Sequence, residues 1–289
     1  MGLGIPLDAT LAISSPITCQ PTGPTDFNLV PIFSDKSIHA VPVQAAKTLW
    51  TEQSIDLQRL LELGRLKTDR DIINAMSAQG IRVGVAHPSS SDLAKIKSQL
   101  NTKSENSEVT KLNEEIRDFQ NQDPQVIQFT QIFQSIPARG QFIPKGVQPF
   151  PTTSVSTHPT ILLKNFAGRA SLLHEYTHFL IGEARERSGT PDPWYGKGAE
   201  LPGAAIQRHG EELDVARTIV ENRDLLGLST DISAIQSALQ NFRDDLDQIK
   251  NLPEAMKVKE KIEESERWYS KTLEDLSLKD PQTNREGGL

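Results

Sequence analysis

Residues 171–196 read SLLHEYTHFLIGEARERSGTPDPWYG, and the interpretation of the whole chain starts from them. His174 and His178 are four residues apart, and Glu175 follows the first histidine. Side chains four apart on an α-helix lie on the same face, about one turn from each other. Two imidazoles placed in this way can bind one zinc ion. The spacing therefore predicts a helix with two metal ligands, on which Glu175 acts as general base toward a water molecule at the metal.

Apolar residues surround the two histidines at helical spacing. They are Leu172, Leu173, Phe179, Leu180 and Ile181. This pattern puts the histidine pair beside or within a buried helix face. The segment resembles the active-site helix of the zincin metallopeptidases. The alternative is a structural helix whose histidines make ordinary hydrogen bonds.

Composition limits the classes of partner and of metal site. The chain has 289 residues and a net charge of -7, which disfavours nucleic acid or an anionic membrane surface as the main partner. No apolar run of about 18 residues is present, so we expect no membrane span. Cys19 is the only cysteine, so any metal must be held by histidines and carboxylates. The first 19 residues contain Asp8 and two prolines but no basic leader, which does not fit a secretory signal.

Hydrophobic periodicity and turn residues predict the secondary structure. Helices are expected over 43–66, 69–79, 126–136 and 204–226, and a solvated helical pair over 91–123. The segments 231–250 and 253–279 are expected to form a long antiparallel helical hairpin. Strands are expected at 81–86 and 159–164, and extended structure over 1–42. The strand at 159–164 is either an edge for a peptide substrate or an ordinary core strand.

A long segment with five prolines, 137–159, is predicted to be irregular and to mark a weak domain boundary. Residues 1–136 then form an α/β part that completes the catalytic domain. Residues 137–280 carry the active-site helix, the loop with the third ligand and the C-terminal helices, and 281–289 form a disordered tail. The expected fold class is α+β, zincin-like and rich in helix, with a small sheet.

Two histidines leave a zinc ion one protein ligand short. The metzincin pattern would place a third histidine at position 184, which is Ala184. The segment 189–196, GTPDPWYG, instead resembles the Gly-Thr-x-Asp-x-x-Tyr-Gly pattern of the aspzincins, the branch that includes deuterolysin and the lysine-specific fungal endopeptidases. The resemblance implies that Asp192 is the third zinc ligand and that Tyr195 is catalytic. Prolines on both sides of Asp192 stiffen the loop that would deliver this short side chain.

A glutamate from 208–222, RHGEELDVARTIVEN, is the second candidate ligand, as in the gluzincin branch. On a helical projection Glu212 borders the apolar stripe, whereas Glu211 and Asp214 lie about 150° from it. Glu212 is expected to pair with Arg185 or Arg208 or to bond a ligand histidine, and direct ligation is the alternative. His209 falls within the stripe and is expected to be a core histidine bonded to a carbonyl, with a substrate or oxyanion donor as the alternative.

These residues predict a zinc metalloendopeptidase that acts on peptide or protein substrates. Glu175 serves as general base, and Tyr195 stabilises the oxyanion. The resemblance favours an exported protein, extracellular or delivered as an effector, over a cytoplasmic one, although the disulfides of the secreted fungal members cannot form here. Two other classes remain open: a zincin-fold binding protein that does not cleave peptides, and a helix-rich interaction protein without metal.

Overall fold

The computed structural model describes residues 46–87, 91–92, 94, 116, 123–165 and 167–276, which belong to one compact unit. The strands are β1 (Ala46–Lys47), β2 (Ser54–Ile55), β3 (Arg82–Ala86), β4 (Gly140–Ile143) and β5 (Thr160–Lys164). The helices are α1 (Leu57–Gly64), α2 (Asp69–Ala78), α3 (Pro124–Phe133), α4 (Arg169–Ser188), α5 (Ala204–Glu221), α6 (Ile232–Lys250) and α7 (Lys259–Asp275). Short 3-10 helices span Gly196–Glu200 and Ala255–Val258.

The described elements confirm a helix-rich α+β architecture with a small sheet. The helices predicted at 69–79, 126–136, 204–226 and 231–250 are present with slightly different ends, and α6 packs against both α5 and α7. The predictions for 1–42, for most of 91–123 and for 281–289 lie outside the described residues. In the described part of the chain, no helix combines the length and the apolar character that a membrane crossing requires.

Three strands form the sheet in the order β3-β5-β4. Strand β3 pairs in parallel with β5, and β4 pairs antiparallel to β5 with Gly140 opposite Leu163. Strand β5 is therefore central and fully buried, so its interpretation as a core strand is right and its interpretation as a substrate edge is wrong. The two edge strands are β3 and β4, and β4 lies within the segment predicted to be irregular.

Alternating side chains of the sheet supply two apolar clusters. Ile161 and Leu163 face the main core together with α4, whereas Leu162 faces a smaller cluster with Phe129 and Phe133 of α3. Burying one such large side chain contributes about 1.5–3 kcal/mol. The sheet is thus held between α3 and α4, and α4 lies beneath the edge strand β4.

Helix α4 ends where the sequence changes from a helical to a loop pattern. Gly189 adopts φ 69°, a left-handed conformation that glycine reaches without a Cβ penalty. The N–H groups of Gly189 and Thr190 then bond the carbonyls of Glu186 and Arg185. This cap ends the helix and leads the chain into the loop of residues 190–203.

Residues 46–55 are not helical, so the helix predicted over 43–66 is wrong in the part before α1 that the structure describes. Strands β1 and β2 pair around a loop of residues 48–53, and only α1 follows the prediction. The physical reason lies on α5, where the buried carboxylate of Asp214 accepts the backbone N–H groups of Leu49 (2.9 Å), Trp50 (3.0 Å) and Thr51 (2.8 Å). These tertiary hydrogen bonds replace the intrahelical ones.

Asp214→Asn is expected to lower the free energy of unfolding by about 2–4 kcal/mol, because an amide offers one acceptor oxygen and turns its own donors toward buried N–H groups. Urea unfolding followed by circular dichroism measures the change. The matched control is Asp224→Asn on an exposed turn, which should leave the midpoint unchanged. Equal midpoints for the two variants would contradict the anchoring role of Asp214.

Candidate metal centre

Three side chains from two helices converge on one point. His174 and His178 lie one turn apart on α4, and their Nε2 atoms are 3.2 Å from each other. Glu212 of α5 places Oε2 3.0 Å from His174 Nε2 and Oε1 3.3 Å from His178 Nε2. One donor atom from each residue lies within 4.8 Å of the other two. The helical spacing of the histidines is confirmed, and the converging carboxylate is that of Glu212.

The second ring nitrogen of His178 also has a hydrogen-bond partner. Its Nδ1 lies 2.6 Å from Glu211 Oε1, and the other oxygen of Glu211 pairs with the guanidinium of Arg185. All three side chains are buried, with Glu211 only 2% exposed. A carboxylate behind a histidine fixes the ring orientation and makes its free nitrogen a better ligand. Arg185 in turn neutralises the buried charge of Glu211.

The electrostatics of this cluster favour a positive charge. Burial alone would lower the pKa of His178, but the charge of Glu212 and hydrogen bonds to Glu211 and Glu212 raise it well above the usual value. Burial alone would raise the pKa of Glu212, but the charge of His178 and hydrogen bonds from both histidines lower it. The carboxylates of Glu211 and Glu212 thus stabilise a positive charge where the two Nε2 atoms meet. The same negative surroundings would also stabilise a bound cation.

Glu175 lies next to this cluster and is 6% exposed. Its carboxylate is packed against Gly140 of β4, where any Cβ atom would collide with it. Burial raises the pKa of Glu175, an effect that His174, His178 and a hydrogen bond from the backbone N–H of Phe142 partly offset. A carboxyl group with a raised pKa is a better proton acceptor near neutral pH than an exposed one.

Asp192 lines the same cavity but makes a local hydrogen bond. Its Oδ1 accepts the backbone N–H of Trp194 at 2.8 Å, and burial raises its pKa. The loop that carries Asp192 is held by Arg208, which donates to the Pro193 carbonyl at 3.0 Å, and by Trp194, whose ring meets His178 edge to face. The structure therefore brings Asp192 near the cluster, while the three converging donors are those of His174, His178 and Glu212.

The hydroxyl of Tyr195 is engaged with strand β4. It donates to the Phe142 carbonyl at 2.9 Å and accepts from Gln141 Nε2 at 3.0 Å. Burial raises the pKa of Tyr195. The hydroxyl is thus present in the cavity, but its proton is used by the main chain in this structure. Its role toward an oxyanion stays a prediction.

A cavity of about 400 Å³ connects these groups. Its floor is formed by Glu175, His178 and the two adjacent glutamates of α5, and its walls combine β4 with apolar side chains. The apolar wall residues include Ile136, Phe142, Pro149, Phe150 and Trp194. An apolar cleft with a few convergent polar groups is typical of a ligand-binding or active site.

Some of these positions differ from the sequence predictions. Glu211, placed on the polar side of the helix by projection, is buried because Arg185 and His178 come from another helix to meet it. Glu212 bonds His174 and His178, as one of its two expected pairings predicted, whereas Arg185, the other expected partner, pairs with Glu211. His209 bonds a carboxylate, Asp245, at 2.7 Å instead of a carbonyl. Two features of the sequence could have indicated that Glu211 is buried. It stands next to Glu212 on a largely apolar helix, and Arg185, seven residues after His178, offers a partner for its charge.

The chemistry of the donor set fits zinc. Two imidazole nitrogens and one carboxylate oxygen leave a fourth tetrahedral position for water or substrate, which is the arrangement of catalytic zinc sites. No protein-family model, no curated protein and no solved structure matches the chain. Function must therefore be inferred from these side chains.

If the cluster binds zinc, Glu211→Ala is expected to weaken that binding by about 10–100-fold, because removing the carboxylate behind His178 leaves the ring free to rotate. Competition with a chromophoric chelator measures the dissociation constant on protein whose helical signal matches wild type. Glu186→Ala, an exposed position on the same helix α4, is the matched control. Indistinguishable affinities for the two variants would rule out Glu211 as a positioning residue.

Proposed function

We propose that the chain is a zinc-dependent peptidase in which His174, His178 and Glu212 hold the metal and Glu175 is the general base. The observation that carries this proposal is the convergence of three donor atoms within 4.8 Å, because two of the three residues, His178 and Glu212, line a cavity together with Glu175. A purely structural pair of histidines would need no open cleft beside it.

When bound, zinc lowers the pKa of water at the site and polarises the substrate carbonyl. Glu175 accepts the proton of the attacking water at its carboxylate and later delivers it to the leaving amine. Its burial and its raised pKa favour this exchange. Tyr195 donates its hydroxyl proton toward the developing oxyanion after it leaves the Phe142 carbonyl.

The two acidic candidates have distinct proposed roles. Glu212 is the third ligand, because its carboxylate already faces both Nε2 atoms. For Asp192, only the resemblance to the aspzincin pattern supports a role as third ligand. In this structure Asp192 Oδ1 is bonded to its own loop, which suits a residue that fixes the loop conformation.

The test combines metal analysis with proteolysis. After dialysis against trace zinc, we expect about one zinc ion per chain by elemental analysis. The loaded protein should cleave β-casein, a chelator should abolish cleavage, and added zinc should restore it. A metal-free protein would refute the site. A protein with stoichiometric zinc that leaves casein intact at high enzyme concentration would refute the peptidase and leave a metal-dependent binding protein.

A further inference from the structure

The cavity beside the metal centre contains two hydrogen-bond acceptors that have no donor. Asp192 Oδ1 accepts the backbone N–H of Trp194, but no residue in the described part of the chain donates to Asp192 Oδ2. Gln141 Oε1 is buried and likewise accepts no hydrogen bond from the residues that the structure describes. Both side chains line the cavity. Buried acceptors are normally satisfied, so these two indicate a donor that comes from a ligand.

Tyr195 connects the two acceptors. Gln141 Nε2 donates to the Tyr195 hydroxyl at 3.0 Å, and Asp192 stands three residues before Tyr195 on the same loop. The hydroxyl gives its own proton to the Phe142 carbonyl at 2.9 Å, so it donates to neither acceptor. The wall around this hydroxyl therefore offers a ligand an amide oxygen and a carboxylate oxygen.

The charges of the cavity favour a cationic donor. Four carboxylates line it, those of Glu175, Asp192, Glu211 and Glu212. Arg185 pairs with Glu211, and the two histidines of the metal centre face Glu212. Glu175 is the proposed general base. Among the described ion pairs none includes Asp192, and burial raises the pKa of this carboxyl group, as expected where no cation lies beside it.

A primary ammonium group combines positive charge with several N–H donors, which matches a carboxylate next to an amide oxygen. The ammonium group at a peptide N-terminus is bonded to the carbon next to the first carbonyl, whereas that of lysine is separated from its carbonyl by the whole side chain. Here the acceptors adjoin the proposed catalytic groups. The carboxylate of Glu175 packs against Gly140, the residue before Gln141, and the ring of Trp194 meets that of His178 at 6.1 Å. This short separation suits the α-ammonium group.

We propose that Asp192 and Gln141 bind the free α-ammonium group of a peptide, so that the site removes residues from the N-terminus of its substrates. This inference rests on the proposed function. Water adds to the carbonyl carbon of the first residue, and its proton passes through Glu175 to the leaving amine, so the products are a free amino acid and a shortened peptide. Asp192 keeps its bond to Trp194 through Oδ1 and accepts from the substrate through Oδ2.

Two substrates that differ only at their N-terminus test this inference. Leucine p-nitroanilide has a free ammonium group, N-acetyl-leucine p-nitroanilide has none, and both release the same chromophore. With zinc-loaded wild type we expect kcat/KM to be at least about 100-fold lower for the acetylated substrate, because a site built to bond a substrate group rejects an analogue that lacks it. An N-acetylated peptide with an internal lysine should also stay intact.

Asp192→Asn removes the charge but keeps an oxygen for the Trp194 N–H. We expect this variant to lower kcat/KM for leucine p-nitroanilide by about 10–100-fold, mainly through KM, and to leave the rate with the acetylated substrate unchanged. A residue that only fixes the loop would affect both substrates alike. The matched control is Asp224→Asn on an exposed turn, which should behave as wild type with both substrates.

Several results would overturn the inference and leave the proposed function intact. They are equal rates with the two leucine substrates, equal losses with both in Asp192→Asn, and cleavage of internal casein bonds without hydrolysis of leucine p-nitroanilide. Cleavage of the lysine peptide alone would also overturn it, since the ammonium group would then belong to a side chain. If the zinc-loaded protein hydrolyses none of these substrates and casein stays whole, the proposed function fails and the inference falls with it.

Discussion

Replacing Glu175 with glutamine should lower the peptidase rate by about 10²–10⁴-fold while the protein keeps its zinc, because an amide has no lone pair basic enough to take a proton from water. The side chain keeps its length and its acceptor oxygen, so it can keep its place against Gly140. The measurement is the initial rate on casein together with zinc content. The expected result is a folded, metal-loaded and nearly inactive protein.

The control for this variant is Glu186→Gln, which changes the same functional group on an exposed face of α4. It should retain the wild-type rate. If Glu175→Gln keeps more than about a tenth of the wild-type rate, the decrease in rate is smaller than the contribution expected of a general base. Another residue must then accept the proton.

Glu212→Ala should weaken zinc binding by more than about 100-fold, beyond the effect expected of a residue that only orients a ligand. The reason is that its carboxylate faces both histidine Nε2 atoms and would supply the third bond. Asp192→Ala should keep its zinc, since Asp192 Oδ1 is bonded to the Trp194 N–H. Elemental analysis after dialysis against a weak chelator separates the two variants.

The opposite outcome has a clear meaning. If Asp192→Ala loses zinc and Glu212→Ala keeps it, the ligand set is that of the aspzincins, and the loop of residues 190–203 must rearrange when metal binds. If each variant alone loses zinc, both carboxylates are needed, and the proposal of Glu212 as the only acidic ligand is wrong.

The sequence was informative wherever local periodicity controls the structure. The spacing of His174 and His178 predicted a helix and a shared face. Strand β4 was missed because it is four residues long and lies among prolines and glycines, so it lacks a period long enough to detect. Only its pairing with β5 makes it a strand.

Long-range contacts explain the remaining differences. The apolar pattern at 46–50 fits a helix, but Asp214, more than 160 residues away, binds the N–H groups that a helix would need. Glu211 faces the polar side by projection and is nevertheless buried, because Arg185 balances its charge across the helix interface. Such compensation between distant residues has no signature in local sequence.

Glu211 and Glu212 are neighbours on α5, so their side chains differ in azimuth by about 100°. A rotation of α5 by that angle would bring Glu211 to the side that faces the Nε2 atoms and Gly210 to the side behind His178. Trp50 packs against Gly210, where an added Cβ would lie 2.7 Å from Trp50 Cβ, and Asp214 fixes the same loop just beyond the pair. The loop of residues 48–53 therefore prevents rotation of α5 about its axis. In this way it determines that Glu212 is the carboxylate that faces a bound cation.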